Sequence, residues 1–183
     1  MSYAIAGLAL LAAVTLVNAL LTVAVSRRWR TMMAPAPAAA APGRPALAVQ
    51  EGDRAPAFTL HTPVGEVSAS TLAGRPALIC FLRPDCGPTR ESLPGIQRWA
   101  EANAPSGGRL VAVISGQPAE AGPLLEAVGP LTELTAAEPP DGPVAGVFGV
   151  RHHPSFVLLD ADGTVAGTGI GQGSLPALDL LTA

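Results

Sequence analysis

Two cysteines and one pair of adjacent histidines are the residues in this chain best equipped for chemistry. Cys86 ends the stretch Leu78-Ile79-Cys80-Phe81-Leu82-Arg83-Pro84-Asp85-Cys86 and is followed by Gly87-Pro88-Thr89. An apolar run, a turn, and then Gly-Pro before a helix-like segment predict a cysteine at a helix start. There the sulfur meets unpaired backbone N–H groups and the positive end of the helix dipole, and both favour the thiolate. Arg83 and Arg90, near in sequence, act the same way, while the Asp85 carboxylate opposes them. A thiolate so placed is a nucleophile toward disulfides. Thr89, one helical turn along, can donate a hydrogen bond to it, and is equally readable as a neutral filler.

The other candidates carry two readings each. Cys80, inside the apolar run, reads as a small buried hydrophobe. Its sharper reading is a thiol that resolves a mixed disulfide on Cys86, although strand-to-helix geometry makes the required Cα separation doubtful. His152 and His153, before Pro154, are either surface histidines or a cation or general base serving Cys86. With Cys86 they also make a sulfur-and-imidazole set of the kind that suits copper or zinc. We assign no metal and no cofactor from sequence. His61 stands alone and reads as a surface strand residue. Two cysteines are too few for a disulfide scaffold or a structural zinc site. A net charge of −3 makes nucleic acid an unexpected partner.

The elements that must position these residues begin after an N-terminal anchor. Residues 3–25 form an uncharged apolar run interrupted only by Thr15, Asn18 and Thr22. That exceeds the roughly 20 residues that span a bilayer as a helix. With no basic region before it and too long a core for a cleaved leader, it predicts an uncleaved single-pass anchor. Residues 26–48 follow as a linker, first Arg27, Arg28 and Arg30, then an Ala/Pro-rich spacer with Pro35, Pro37, Pro42 and Pro45. The three arginines place the C-terminal side in the cytoplasm by charge bias. Residues 49–183 are predicted to form one domain, of a size that buries a core without disulfides.

Within that domain, Phe58–His61 and Glu66–Ser68 around Thr62-Pro63-Val64-Gly65 predict a hairpin. Ser70–Gly74 reads as one helical turn closed by glycine. Ala77–Leu82 is the central strand, and a helix follows over Pro88–Asn103, with Leu93, Ile96 and Trp99 inward and a kink at Pro94. Arg109–Ser115 is a buried strand. Pro118–Val128 is a helix interrupted at Gly122-Pro123, Leu131–Thr135 a short strand, and Pro143–Phe148 one or two helical turns. Ser155–Leu159 and Thr164–Thr168 flank the turn Asp160-Ala161-Asp162-Gly163. Ser174 caps a last helix through Leu181. This order predicts an α/β domain: a mixed sheet with helices on both faces.

These pieces resemble the membrane-tethered thioredoxin-like proteins of the TlpA/ResA type and the methylamine-utilisation protein MauD, in the wider redoxin (AhpC/TSA-related) group. The matching parts are the anchor, Gly52-Asp53-Arg54-Ala55-Pro56-Ala57-Phe58, Leu72-Ala73-Gly74-Arg75-Pro76 and Cys86-Gly87-Pro88 with Pro94. They continue through Gly149-Val150-Arg151-His152-His153-Pro154-Ser155-Phe156 to Leu159-Asp160-Ala161-Asp162-Gly163. The resemblance implies a thioredoxin-like fold and a cis peptide bond before Pro154. It implies a groove in which Gly87, Pro88, His153 and Pro154 bind an extended substrate. It also implies an acid at the position held here by Cys80, and a second motif cysteine at the position held here by Thr89. Tethered members of this type usually work outside the cytoplasm, against the charge bias after the anchor.

Three functions follow. One is a tethered thiol–disulfide oxidoreductase of the reductase or isomerase type. In it Cys86 attacks and a partner protein or low-molecular-weight thiol resolves. A second is a non-catalytic binding or assembly module that has lost its redox cycle. The third, a thiol peroxidase, is weakest, because Ile79 and Arg83 stand where the peroxiredoxin pattern has proline and a hydroxyl residue.

Overall fold

A computed structural model describes residues 47–176. In chain order it contains β1 Thr59–Thr62, β2 Gly65–Ser68, α1 Ala69–Leu72, β3 Ala77–Leu82 and α2 Gly87–Asn103. There follow β4 Arg109–Ser115, α3 Pro118–Val128, β5 Thr135–Glu138, α4 Pro143–Val147, β6 Ser155–Leu159 and β7 Val165–Ile170. The expected anchor over 3–25, the linker up to residue 46 and the helical part of the last segment (177–181) lie outside the described residues. Among the described residues no helix is long and apolar enough to cross a membrane.

β3 is central because every one of its residues is apolar and buried. Its alternate side chains feed two cores: Ala77, Ile79 and Phe81 on one face, Leu78, Cys80 and Leu82 on the other. The five-stranded sheet has the order β5-β4-β3-β6-β7. β3, β4 and β5 run parallel, while β6 and β7 close the sheet antiparallel. α2 and α3 cover one face through Ile96, Trp99, Ala121, Leu124 and Val128. α4, α1 and the β1–β2 hairpin cover the other through Val144, Ala145, Leu72, Leu60 and Val67. This is the expected α/β thioredoxin-like architecture.

Local chemistry explains the ends of several elements. Ser68 and Thr71 form a reciprocal cap on α1. Asp160 Oδ1 accepts the N–H groups of Asp162 and Thr164 and so closes the β6–β7 turn. Leu47 and Val49 already pack in the core, and Ala48 N–H donates to Phe148 O at 2.9 Å. Gly149 permits that approach: its φ is +67°, and a Cβ there would lie 2.6 Å from that of Ala48.

Two expectations are corrected. α3 is not interrupted at Gly122-Pro123. Pro123 withholds one N–H from the carbonyl of Ala119, an exposed residue that water can serve, while buried Ala121, Leu124 and Val128 hold the helix down. α2 is one helix with exposed Pro94 inside it. The short strand lies at Thr135–Glu138 rather than Leu131–Thr135. Pairing with β4 sets it, from Ala112↔Thr135 to Ser115↔Glu138. The apolar residues that suggested the earlier position are spent on packing, Leu131 against one core and Leu134 against the other.

Candidate active site

Cys86 is the N-cap residue of α2, with extended backbone (φ −102°, ψ 114°) and a proline in the first helical turn. Its side chain makes no capping hydrogen bond, so the sulfur is not committed to the helix. Half-buried, it donates instead to the backbone carbonyl of His153 at 3.2 Å. The His153–Pro154 peptide bond is cis, as the resemblance implies. Two segments far apart in sequence, the β3–α2 turn and the entry to β6, therefore meet at one sulfur atom. A thiolate has no proton to give that carbonyl, so this contact belongs to the protonated form.

Gly87 and Pro88 are exposed beside the sulfur, and a side chain at Gly87 would meet nothing within 4 Å. The surface over Cys86 is open on that side. His153 is half-buried, with Nε2 enclosed and without a hydrogen-bond partner. Burial lowers its pKa from the ordinary 6.5, Arg83 and His152 add to that, and Asp141 acts in the opposite sense. The imidazole is therefore neutral at pH 7.

Thr89 departs from its expected role. It is fully buried, and its hydroxyl accepts the N–H of Arg83 at 3.3 Å. It makes no hydrogen bond with Cys86. The side chain of this first helical turn points down into the β3–α2 loop, where a backbone donor needs a partner. Cys80 is fully buried in the face covered by α2 and α3, and burial pushes its thiol far up. A resolving thiol needs access and ionisation, and Cys80 has neither. Among the described residues no group of three His, Cys, Asp or Glu side chains is arranged to hold a metal ion, and Cys86, His152 and His153 are not brought together as one. His152 is exposed, and Cys86 addresses the His153 backbone rather than its ring. His61 lies on β1, exposed, 3.4 Å from Glu66.

Glu138 and Ser115 had no local sequence signal. Glu138 is buried, and its carboxylate accepts the N–H groups of Val144 and Ala145, so it caps α4 from the end of β5. Gly142 makes room for it, since a Cβ there would lie 2.6 Å from the Glu138 Cβ. Ser115, at the end of β4, is buried with its hydroxyl unpartnered.

A helix-capping cysteine held against the residue before a cis-proline, at one end of a mixed sheet, defines a thioredoxin-like protein of the TlpA/ResA type. Residues 51–168 match the AhpC/TSA family, and the chain belongs to it. No curated protein matches the chain significantly. Among solved structures, a candidate thiol:disulfide interchange protein DsbE from Chlorobium tepidum is 26% identical, with a TM-score of 0.58 over 73% of this chain and 92% of its own. A thioredoxin-family thiol:disulfide interchange protein from Chlorobium tepidum TLS is 22% identical, with a TM-score of 0.56 over 69% and 91%. A secreted Mycobacterium tuberculosis disulfide oxidoreductase homologous to Escherichia coli DsbE is 24% identical, with a TM-score of 0.53 over 68% and 91%. The last two speak for the fold alone.

Proposed function

We propose that this chain is a membrane-tethered thiol–disulfide oxidoreductase that works through Cys86 alone. The observation that carries the reading is the Cys86 sulfur, free of the helix cap and turned toward the residue before cis-Pro154. The similarity to the candidate interchange protein DsbE supports it. The Cys86 thiolate attacks one sulfur of a substrate disulfide, forming a mixed disulfide and expelling the other sulfur as a thiolate. Thr89 cannot resolve that intermediate and Cys80 cannot reach it. A thiol from a partner protein or a low-molecular-weight thiol then attacks the substrate sulfur and releases Cys86. Gly87, Pro88, His153 and Pro154 line the approach. Residues 3–25 tether the domain, on the extracytoplasmic side by resemblance and against the charges of Arg27, Arg28 and Arg30.

The second reading, a binding module without a redox cycle, is favoured by one observation, the buried Thr89 in the second motif position. Exchange assays on the purified chain with a disulfide substrate and a small thiol separate the two. The oxidoreductase reading expects turnover that survives Cys80→Ser and disappears in Cys86→Ser. If wild type forms no mixed disulfide yet retains an extended cysteine-containing peptide, the binding module stands. Turnover with hydrogen peroxide in place of the disulfide would instead revive the peroxidase.

A further inference from the structure

Pro84 and Asp85 lead directly into Cys86, and Arg90, one turn into α2, donates its N–H to the Cys86 carbonyl at 3.3 Å. The same three residues form one wall of an open depression of about 270 Å³. Leu93 of α2 and Glu120, Pro123, Leu124 and Ala127 of α3 complete its lining. Helical spacing explains why the space exists. Positions 90 and 93 share one face of α2, and positions 120, 123, 124 and 127 share one face of α3. Of the residues on these two faces only Leu93 and Leu124 are large and apolar. Pro123 and Ala127 are small and exposed, and they leave the gap between the helices unfilled.

The deeper lining residues, half-buried Pro84 and Leu93 and buried Leu124, are all apolar. Asp85, Arg90 and Glu120 are exposed around them, and among the described residues none of the three forms an ion pair. Glu120 is already engaged, since its Oε2 accepts the Gln117 N–H. Asp85 and Arg90 carry opposite charges, and exposed charges select weakly. The apolar floor is therefore what discriminates. A volume of about 270 Å³ falls below the roughly 300–1,000 Å³ of sites that enclose a whole small molecule. It suits a single side chain of leucine or phenylalanine size.

Resting on the oxidoreductase reading, we infer that this depression is a subsite for one apolar side chain of a peptide substrate, carried within three residues of the reacting cysteine. Three residues of extended peptide span about 10 Å, and the wall of the depression is the turn that holds Cys86. β4 and β6 flank β3 on opposite sides. Pro154, before β6, and α3, after β4, thus lie to either side of the cysteine, and the substrate segment crosses between them.

The test uses the purified full chain and three peptides whose cysteine is activated as a disulfide with 2-thiopyridine. They are acetyl-Ala-Ala-Cys-Ala-Ala amide and its two variants with leucine at the first or the last position. The Cys86 thiolate attacks the peptide sulfur and forms the mixed disulfide. The bond to the pyridyl sulfur breaks, and 2-thiopyridone leaves with the electron pair and is read by its absorbance. The better leucine peptide is expected to react roughly tenfold faster than the alanine peptide, the gain from burying most of a leucine side chain. Ala127→Phe fills the depression and is expected to abolish that preference. Val147→Phe, an added surface phenylalanine on α4, is expected to leave it within about twofold. Equal rates for all three peptides in wild type, or a preference that persists in Ala127→Phe, overturns the subsite. A second arm needs no reaction. In Cys86→Ser, the leucine peptide with S-methylcysteine is expected to shift the Leu93 and Ala127 methyl NMR signals at concentrations where the alanine peptide leaves them in place. Signals that stay in place with both refute the subsite. If wild-type Cys86 reacts with no peptide, the oxidoreductase reading falls, while the NMR arm still decides the subsite.

Discussion

Thr89→Val separates two roles for the residue in the second motif position. Thr89 is fully buried, and its hydroxyl accepts the Arg83 N–H at 3.3 Å, toward the long end for such a bond. Valine nearly keeps the volume and removes the acceptor, so the cost is that of an orphaned backbone donor, about 1–3 kcal/mol. The length of the bond favours the low end, about 1 kcal/mol, which lowers Tm by roughly 3–5 °C for a domain of this size. Thr89→Ser keeps the acceptor and loses one methyl group, so it separates packing from hydrogen bonding. The assay pairs thermal unfolding of the purified chain with the iodoacetamide rate of Cys86, in a Cys80→Ser background. If Thr89 holds the β3–α2 loop, Tm falls and the alkylation rate changes less than about twofold. If its hydroxyl instead serves the sulfur, the lost hydrogen bond to a charged group changes the rate by about tenfold or more. An unchanged Tm with a tenfold rate change refutes the loop role.

Two further outcomes follow from the same geometry. Maleimide labelling followed by peptide mapping should modify Cys86 first. Cys80, fully buried in the central strand, should lag by at least about a thousandfold, because it reacts only on global opening; a Cys80–Cys86 crosslink on mild oxidation would contradict this. His153 carries a pH signature: its folded pKa is lowered, so between that value and 6.5 the unfolded chain binds more protons than the folded one. Its penalty is absent above that window and grows as pH falls through it. Denaturation midpoints measured from pH 8 to 5 should decline more steeply in wild type than in His153→Gln, and parallel curves would show that His153 contributes nothing to the acid limb.

The parts of the fold written in local pattern were legible in the sequence. Ala77–Leu82 and Arg109–Ser115 appear with the expected bounds, because continuous apolar runs of strand length between turn signals have few alternative fates. Thr135–Glu138 was not legible, since Thr-Ala-Ala-Glu has little strand preference and forms a strand only because β4 presents an edge to it. Cys86 was legible from Gly87-Pro88 and the strand before it. The fate of Thr89 was not: helical spacing puts positions 86 and 89 on one face, but the competing acceptor need came from the loop, where the Arg83 N–H had no other partner.

The chemistry of the site divides along the same line. A nucleophile can be announced by its own neighbours, because helix starts and turns are local. Its partner is brought in by register instead: His153, just before β6, reaches Cys86 only because β3 and β6 pair antiparallel from Ala77↔Leu159 to Phe81↔Ser155. The signal appears only once the strands are paired, as a sulfur outside the helix cap that gives its hydrogen bond to the residue before cis-Pro154. For a protein with one accessible cysteine and no second thiol in reach, that arrangement shifts the burden of specificity. The partner thiol must itself be recognised.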